Sequence, residues 1–334
     1  MNKTLHQQCR RKVLSFARVV SLAYTWNLLE TCKGTKILLN IGFFAEFSLS
    51  VPLYSFFFIN LQDLERDFFV LKYKFNDKMI SKGKIKYMHS LELKKKRDAD
   101  NVFVAEGSKV VGDILRHHPT LLREIFATEE WLCAWQSCIS EIPCVVNVVT
   151  SAELSKISFL CHPQHVVATF SKISTDETFD ICGAGGLILV LDGVQDPGNL
   201  GTIIRVADWF GIEDIVCSLD TADVYNPKVV QATMGSIARV RVHYRQICPF
   251  LDALPPDVPV YGTLLEGHNM YEEKFDKSSG IIVMGNEGKG ISDTVRKRIT
   301  HALRIPSYPT NRETAESLNV AIATAVVCAE FRRK

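Results

Sequence analysis

The chain is 334 residues long, 47% hydrophobic and 23% charged, which fits a globular protein with a sizeable core and excludes a fibrous or low-complexity chain. Lys and Arg number 39 against 37 Asp and Glu, a formal net charge of +2, so any surface for a polyanion must be local. Ten scattered cysteines form no C-x-x-C pair, which reads as unpaired thiols of a reducing cytoplasm, with no metal site.

Residues 1–78 stand apart. Ile37 to Leu61, ILLNIGFFAEFSLSVPLYSFFFINL, is long enough to cross a bilayer and carries one charge, Glu46. Asn40, Glu46 and Pro52 are costly in a lipid-facing helix, and the stretch lacks a signal-peptide cleavage site. Three readings stay open: a non-native or disordered upstream extension, a membrane or partner segment, and a genuine soluble extension. Met79 and Met88 are sensible alternative starts, because ordinary globular sequence begins there.

Residues 79–173 read as a small α/β domain. Lys82, Lys84, Lys86, Lys94, Lys95, Lys96 and Arg97 cluster at its start, either as a solvated helix face or as a contact for an RNA backbone. Strand VFVAEG, helix VVGDILRHH, strand LREIFAT, helix EEWLCAWQSCI, strand CVVNVVT, helix SAELSKI and strand HVVATF follow. Residues 174–185, polar and glycine-rich, read as a linker.

From Gly186 to Lys334 short apolar strands alternate with helices. Strands are expected at LILVLD, DIVCS, ARVRV, PVYGTL, GIIVMG and HALRI. Helices are expected at NLGTIIRVADWF, NPKVVQATMGSI, CPFLDAL, ISDTVRKRI and ESLNVAIATAVVCAEFRR. This pattern predicts a mostly parallel sheet covered on both faces, and ligands bind at the carboxyl edge of such sheets.

Three loops at that edge carry polar chemistry. In VQDPGNLGTIIRVADWFG, Asn199 is either a helix cap or a polar site group, Gly201 permits close backbone approach, and Arg205 needs a carboxylate or a phosphate. In IIVMGNEGKGIS the glycines fit neither a P-loop nor a dinucleotide fingerprint; Glu287 is the carboxylate of that loop. In LRIPSYPTNRETAESLNVAIATAVV, Ser317 is the expected N-cap of the last helix and Asn319 needs a specific hydrogen bond.

Taken together, L-D-x-V-x-D-P-x-N-x-G-x-x-x-R-x-A, V-M-G-x-E-x-x-G and I-P…E-S-L-N-V-A resemble the SpoU-type (TrmH-like) family of the SPOUT superfamily. The resemblance covers 186–334 and extends more weakly to 79–173, which looks like the family's small, L30e-like substrate-binding domain. It implies a C-terminal α/β domain with a trefoil-knotted chain path, an exception to the rule against threaded chains. It also implies S-adenosylmethionine-dependent methylation of a ribose 2′-hydroxyl in structured RNA, rRNA before tRNA, by a cytoplasmic homodimer. Carried over by position, Asn199, Arg205, Glu287, Ser317 and Asn319 would be the active-site polar groups. Thr263, Leu264, Gly285, Ile305 and Leu318 would hold S-adenosylmethionine. Ser307, Tyr308 and Pro309 depart from the family pattern, and the lengthened loop PTNRETA puts the Ile305 contact and the shape of the adenine pocket in question.

A 2′-hydroxyl is a poor nucleophile near neutral pH, so alignment must do much of the work, contributing about 7–11 kcal/mol. Two roles for Arg205 stay open: general base, as the family proposal has it, or phosphate anchor, since a guanidinium with a pKa above about 12 rarely gives up its proton. The rivals are a nicotinamide-dependent Rossmann enzyme, which would need the missing G-x-G-x-x-G; a non-catalytic SPOUT-like RNA-binding protein, against which the intact polar set argues; and a base methyltransferase of the wider superfamily, disfavoured because E-S-L-N resembles the ribose-type signature.

Overall fold

The computed structural model describes residues 80–140, 142–174, 186–273, 279–309 and 315–333. The apolar stretch at 37–61 and most of the expected linker lie outside them. Among the described residues no helix is long and apolar enough to cross a membrane.

The first part builds a four-stranded sheet. Helices α1 (Lys82–Ser90) and α2 (Lys94–Asp100) lead into β1 (Val102–Glu106) and α3 (Ser108–His117). Then come β2 (Leu122–Ala127), α4 (Glu129–Ala134), α5 (Gln136–Ile139), β3 (Val145–Val148), α6 (Ser151–Leu154) and β4 (Val166–Ser171). The strand order is β1-β4-β2-β3, with only β2 and β3 parallel. Met88, Leu91, Val104, Phe126 and Leu154 pack against one face as its core. The helix expected over EEWLCAWQSCI breaks at Trp135, whose ring stacks on Trp131 and fills the space over Gly112.

The basic cluster is not one surface. Lys82, Lys86, Lys94 and Lys95 are exposed, Lys84 pairs with Glu124, and Arg97 is 1% exposed. The Arg97 guanidinium donates to the carbonyls of Leu91 and Glu92, at 2.7 and 2.6 Å, and to Asp223 Oδ2 at 2.5 Å. Arg97 is thus a buried strut to the second sheet and unavailable to an RNA backbone.

The second part is a six-stranded, fully parallel sheet of order β10-β8-β9-β5-β6-β7. Its strands are β5 (Leu187–Asp192), β6 (Asp214–Cys217), β7 (Arg241–Tyr244), β8 (Val260–Asn269), β9 (Gly280–Gly285) and β10 (His301–Arg304), close to the six expected. Between and after them run α7 (Pro197–Trp209), α8 (Pro227–Ala232), α9 (Ile247–Asp252), α10 (Asp293–Arg296) and α11 (Val320–Arg332). Every residue of β9 is buried, and so are Leu187–Leu191 of β5, as covered parallel strands require.

Gly201 fixes how closely α7 meets α8. A Cβ there would lie 2.5 Å from Ala232 Cβ and 2.8 Å from the Val229 carbonyl oxygen. Only hydrogen fits. The expected longer helix over NPKVVQATMGSI stops at Ala232, because Met234 and Gly235 take positive φ and Gly235 packs on Asp113 of α3. Further ties join the two parts: His118 Nε2 lies 2.9 Å from the Ala238 carbonyl, and the Tyr225 hydroxyl bridges the backbone of Ile173.

Candidate functional site

β5 and β9 end together, Asp192 pairing with Gly285, so the loop entering α7 and the glycine-rich loop share one edge. Asp196, one residue before Pro197, caps α7 by accepting the Asn199 backbone N–H at 2.8 Å. The cap considered for Asn199 therefore belongs to Asp196. An Asp directly before a first-turn proline was the signal. Its cap leaves the Asn199 side chain free for other contacts.

That side chain sits in a directed relay. Asn319 Oδ1 accepts the N–H groups of Ala321 and Ile322, at 3.0 and 3.3 Å, and so caps α11. With its oxygen committed, Asn319 must offer nitrogen onward, and Nδ2 donates to Asn199 Oδ1 at 2.9 Å. Asn199 Nδ2 then donates to Glu287 Oε1 at 3.0 Å. A carboxylate only accepts, so both ends fix the same amide orientations. The relay carries the positive end of the helix dipole toward Glu287. It also joins the three predicted loops side chain to side chain.

Ser317 departs from expectation. It is exposed, and the last helix begins at Val320 under Asn319 rather than under Ser317. Both residue types cap helices, and periodicity alone does not choose between them. Arg205 is exposed and, among the described residues, pairs with no carboxylate. The structural ion pair considered for it has no partner here. Gly198, Thr202, Arg205 and Trp209 line the solvent side of α7, and Trp209 is 84% exposed.

Of the residues expected to hold S-adenosylmethionine, Gly285 stands two residues before Glu287 and Leu318 directly before Asn319, so both adjoin the relay along the chain. β8 leaves β9 after Gly262, which frees Thr263 and Leu264 at the sheet edge; Thr263 Oγ1 donates to the Val283 carbonyl at 3.3 Å. A Cβ at Gly285 would meet the Gly290 and Ile291 backbone at 2.3 Å, so the loop folds tightly back over it. Leu264 and Ile305 are half-buried and Leu318 is 52% exposed. Leu264 packs partly on the sheet's core, and its remaining surface, with the exposed Leu318 and tightly turned backbone, suits an adenosyl group. The residues thus fit the cofactor. Residues 310–314 of the lengthened loop lie outside the described chain.

Two supporting residues were not singled out from the sequence. Asn286 donates to the Gly193 carbonyl at 2.6 Å and accepts the Gly288 and Lys289 N–H groups at 2.9 and 3.0 Å. Asp192 accepts the Ser292 N–H at 2.8 Å. They stitch the glycine loop to β5. An asparagine followed two residues later by glycine is the turn signature that marks the first.

This geometry agrees with comparisons to known proteins. Residues 186–329 match the SpoU rRNA Methylase family, and residues 82–168 match the MRM3-like substrate binding domain. The chain is 32% identical to the 23S rRNA (guanosine(2553)-2′-O)-methyltransferase RlmP of Bacillus subtilis, over 75% of this chain and 96% of that one. A TrmH-family protein from Porphyromonas gingivalis superposes with a TM-score of 0.65 at 37% identity, covering 76% of this chain and 99% of that one. An AdoMet-bound rRNA methyltransferase from Sinorhizobium meliloti does so at 0.66 and 30%, covering 74% and 93%. The matched family, the two-sheet architecture and the loops at one sheet edge agree: this chain belongs to the SpoU rRNA methylase family.

Proposed function

We propose that the protein methylates a ribose 2′-hydroxyl of ribosomal RNA, with guanosine the target class suggested by its relative RlmP of Bacillus subtilis, a 23S rRNA (guanosine(2553)-2′-O)-methyltransferase. The observation that carries the reading is the relay Asn319–Asn199–Glu287, with Arg205 exposed on the same helix as Asn199, α7, and paired with no carboxylate among the described residues. Such an exposed guanidinium is ready for a phosphate, which it grips in a planar fork. S-adenosylmethionine, when bound, supplies an electrophilic methyl group. Thr263, Leu264, Gly285, Ile305 and Leu318 are assigned to hold it, largely through backbone and apolar surface. Arg205 anchors the phosphate beside the target ribose. Asn199, fixed from both sides by the relay, positions the ribose hydroxyls, and the 2′-oxygen gives its proton to Glu287 or to water. Ser317 is assigned to the exposed mouth of the same site.

The reading includes a division into 79–173 for RNA docking and 186–334 for chemistry, a knotted chain path, a homodimer and a cytoplasmic location. The exposed α7 stripe with Trp209 supports a surface that a second copy covers. A direct test incubates bulk RNA with methyl-labelled S-adenosylmethionine and digests it with alkali. A methylated 2′-oxygen protects its phosphodiester, so label is expected in resistant dinucleotides. Label in mononucleotides alone would refute ribose methylation.

A further inference from the structure

Between the two sheets lies a cleft of about 450 Å³, within the size class of small-ligand sites at about 300–1,000 Å³. Glu106, Phe159 and Leu160 line one wall, and Pro197, Lys228 and Gln231 the other. Glu106 ends β1 and is 5% exposed. Ser158 Oγ donates to one of its oxygens at 2.5 Å and the Phe159 N–H to the other at 2.8 Å. Both oxygens accept, as an ionised carboxylate does, and each keeps acceptor capacity. Burial pushes this carboxyl above the ordinary range, against those two hydrogen bonds. Across the cleft, the side-chain amide of Gln231 has no partner among the described residues.

Building a charged acceptor into a dry wall is expensive unless something uses it. Ser158 and Phe159 fix its direction without filling the cleft. Resting on the rRNA ribose-methylation reading, we infer that this cleft receives the unstacked base of the target nucleotide and selects guanine, with Glu106 as the reading group. Guanine alone presents two adjacent donors, N1–H and the 2-amino group, to a carboxylate. Adenine, cytosine and uracil each set an acceptor beside their donor and are repelled. The Phe159 ring offers a stacking face, as aromatic residues do for splayed-out bases, and Gln231 can donate to guanine O6. Lys228 at the exposed side suits the flanking phosphate. Pro197 lies in the first turn of α7, two residues before Asn199. A base seated against it leaves its ribose at the end of the helix where the relay stands.

The test first maps the nucleotide that the full chain methylates in bulk rRNA, then uses the full chain, S-adenosylmethionine and a short transcript around that nucleotide, made with guanosine or with inosine at the target. Inosine lacks only the 2-amino group. Wild type is expected to prefer guanosine by about tenfold or more in kcat/KM, the discrimination typical of a bidentate contact. Glu106→Gln, which keeps the bonds to Ser158 and Phe159 feasible, is expected to lose that preference while binding S-adenosylmethionine normally. Equal use of both transcripts by wild type, or unchanged preference in Glu106→Gln, would overturn the inference. Should Glu106→Gln fail to fold, Gln231→Leu decides: the cleft requires a raised KM for RNA, and wild-type KM refutes it. Absence of alkali-resistant label with wild type defeats the underlying reading itself, whereas label on adenosine, cytidine or uridine defeats only the cleft.

Discussion

Asn319 performs two tasks that one substitution separates. Its oxygen caps α11 through Ala321 and Ile322, and its nitrogen holds Asn199. Asn319→Asp keeps a strong capping oxygen and adds a negative charge at a helix N-terminus, favourable by about 0.3–1 kcal/mol. Its second oxygen, however, now faces Asn199 Oδ1, acceptor to acceptor. Asn199 cannot escape by turning over, because its oxygen would then face the Glu287 carboxylate. The lost hydrogen bond costs about 1 kcal/mol, so net stability changes little and the melting temperature stays within about 2–4 °C of wild type. Turnover should nonetheless fall by about two orders of magnitude, since misplacement of a positioning group by about 1 Å has that effect. Asn319→Ala removes the cap as well, at about 0.5–2 kcal/mol, and should melt lower than the Asp variant. Thermal unfolding by circular dichroism and methyl transfer to rRNA measure the two quantities. Wild-type turnover in Asn319→Asp would refute the relay, and equal destabilisation by Asp and Ala would refute the cap.

Arg205→Lys should leave the melting temperature unchanged, as exposed, unpaired positions do to within about 0.5 kcal/mol, and should abolish turnover while isothermal titration still detects S-adenosylmethionine binding; retained turnover rules out any role that needs the planar guanidinium. Gly201→Val is expected to destabilise by about 1–3 kcal/mol through overpacking against Ala232 and Val229, read as a lower denaturation midpoint; a neutral midpoint would show that α7 and α8 separate freely. Burial pushes the Asp214 carboxyl up, but hydrogen bonds from His243 and Arg241 outweigh it and hold the group down at about 2. Because its folded pKa is depressed, its contribution is complete above the ordinary value of 3.8 and is lost as pH falls toward 2. Asp214→Asn should therefore be clearly less stable than wild type at pH 7, with the gap closing below pH 4 in urea titrations; a constant gap contradicts the linkage.

Much of the larger sheet was legible because parallel strands buried on both faces read as short apolar runs, and all six stand near their expected positions. Gly201 was legible too: a glycine amid helical periodicity marks close approach. What the sequence concealed depends on distant partners. Arg97 looks like the last cation of a solvated run, and only Asp223, 126 positions away, explains its burial. The cap of the last helix went to Asn319 because its side chain reaches both first-turn N–H groups, a geometric choice that S-L-N leaves open. Glu106 reads as the polar end of a strand until the second sheet closes over it. Asn199, Glu287 and Asn319 were grouped by motif resemblance, and what the structure adds is the direction of their hydrogen bonds.

Arg97 has a consequence for how a large substrate is judged. Its buried guanidinium, anchored to two carbonyls of one sheet's lead-in and to Asp223 of the other, ties the two sheets together at one point. If residues 79–173 dock the RNA as proposed, that tie sets the span between docking surface and reactive sugar. An RNA spaced for another fold would then gain one contact or the other. Discrimination between a folded target and the same strand unwound would fall on the tertiary shape of the RNA, before any bond is broken.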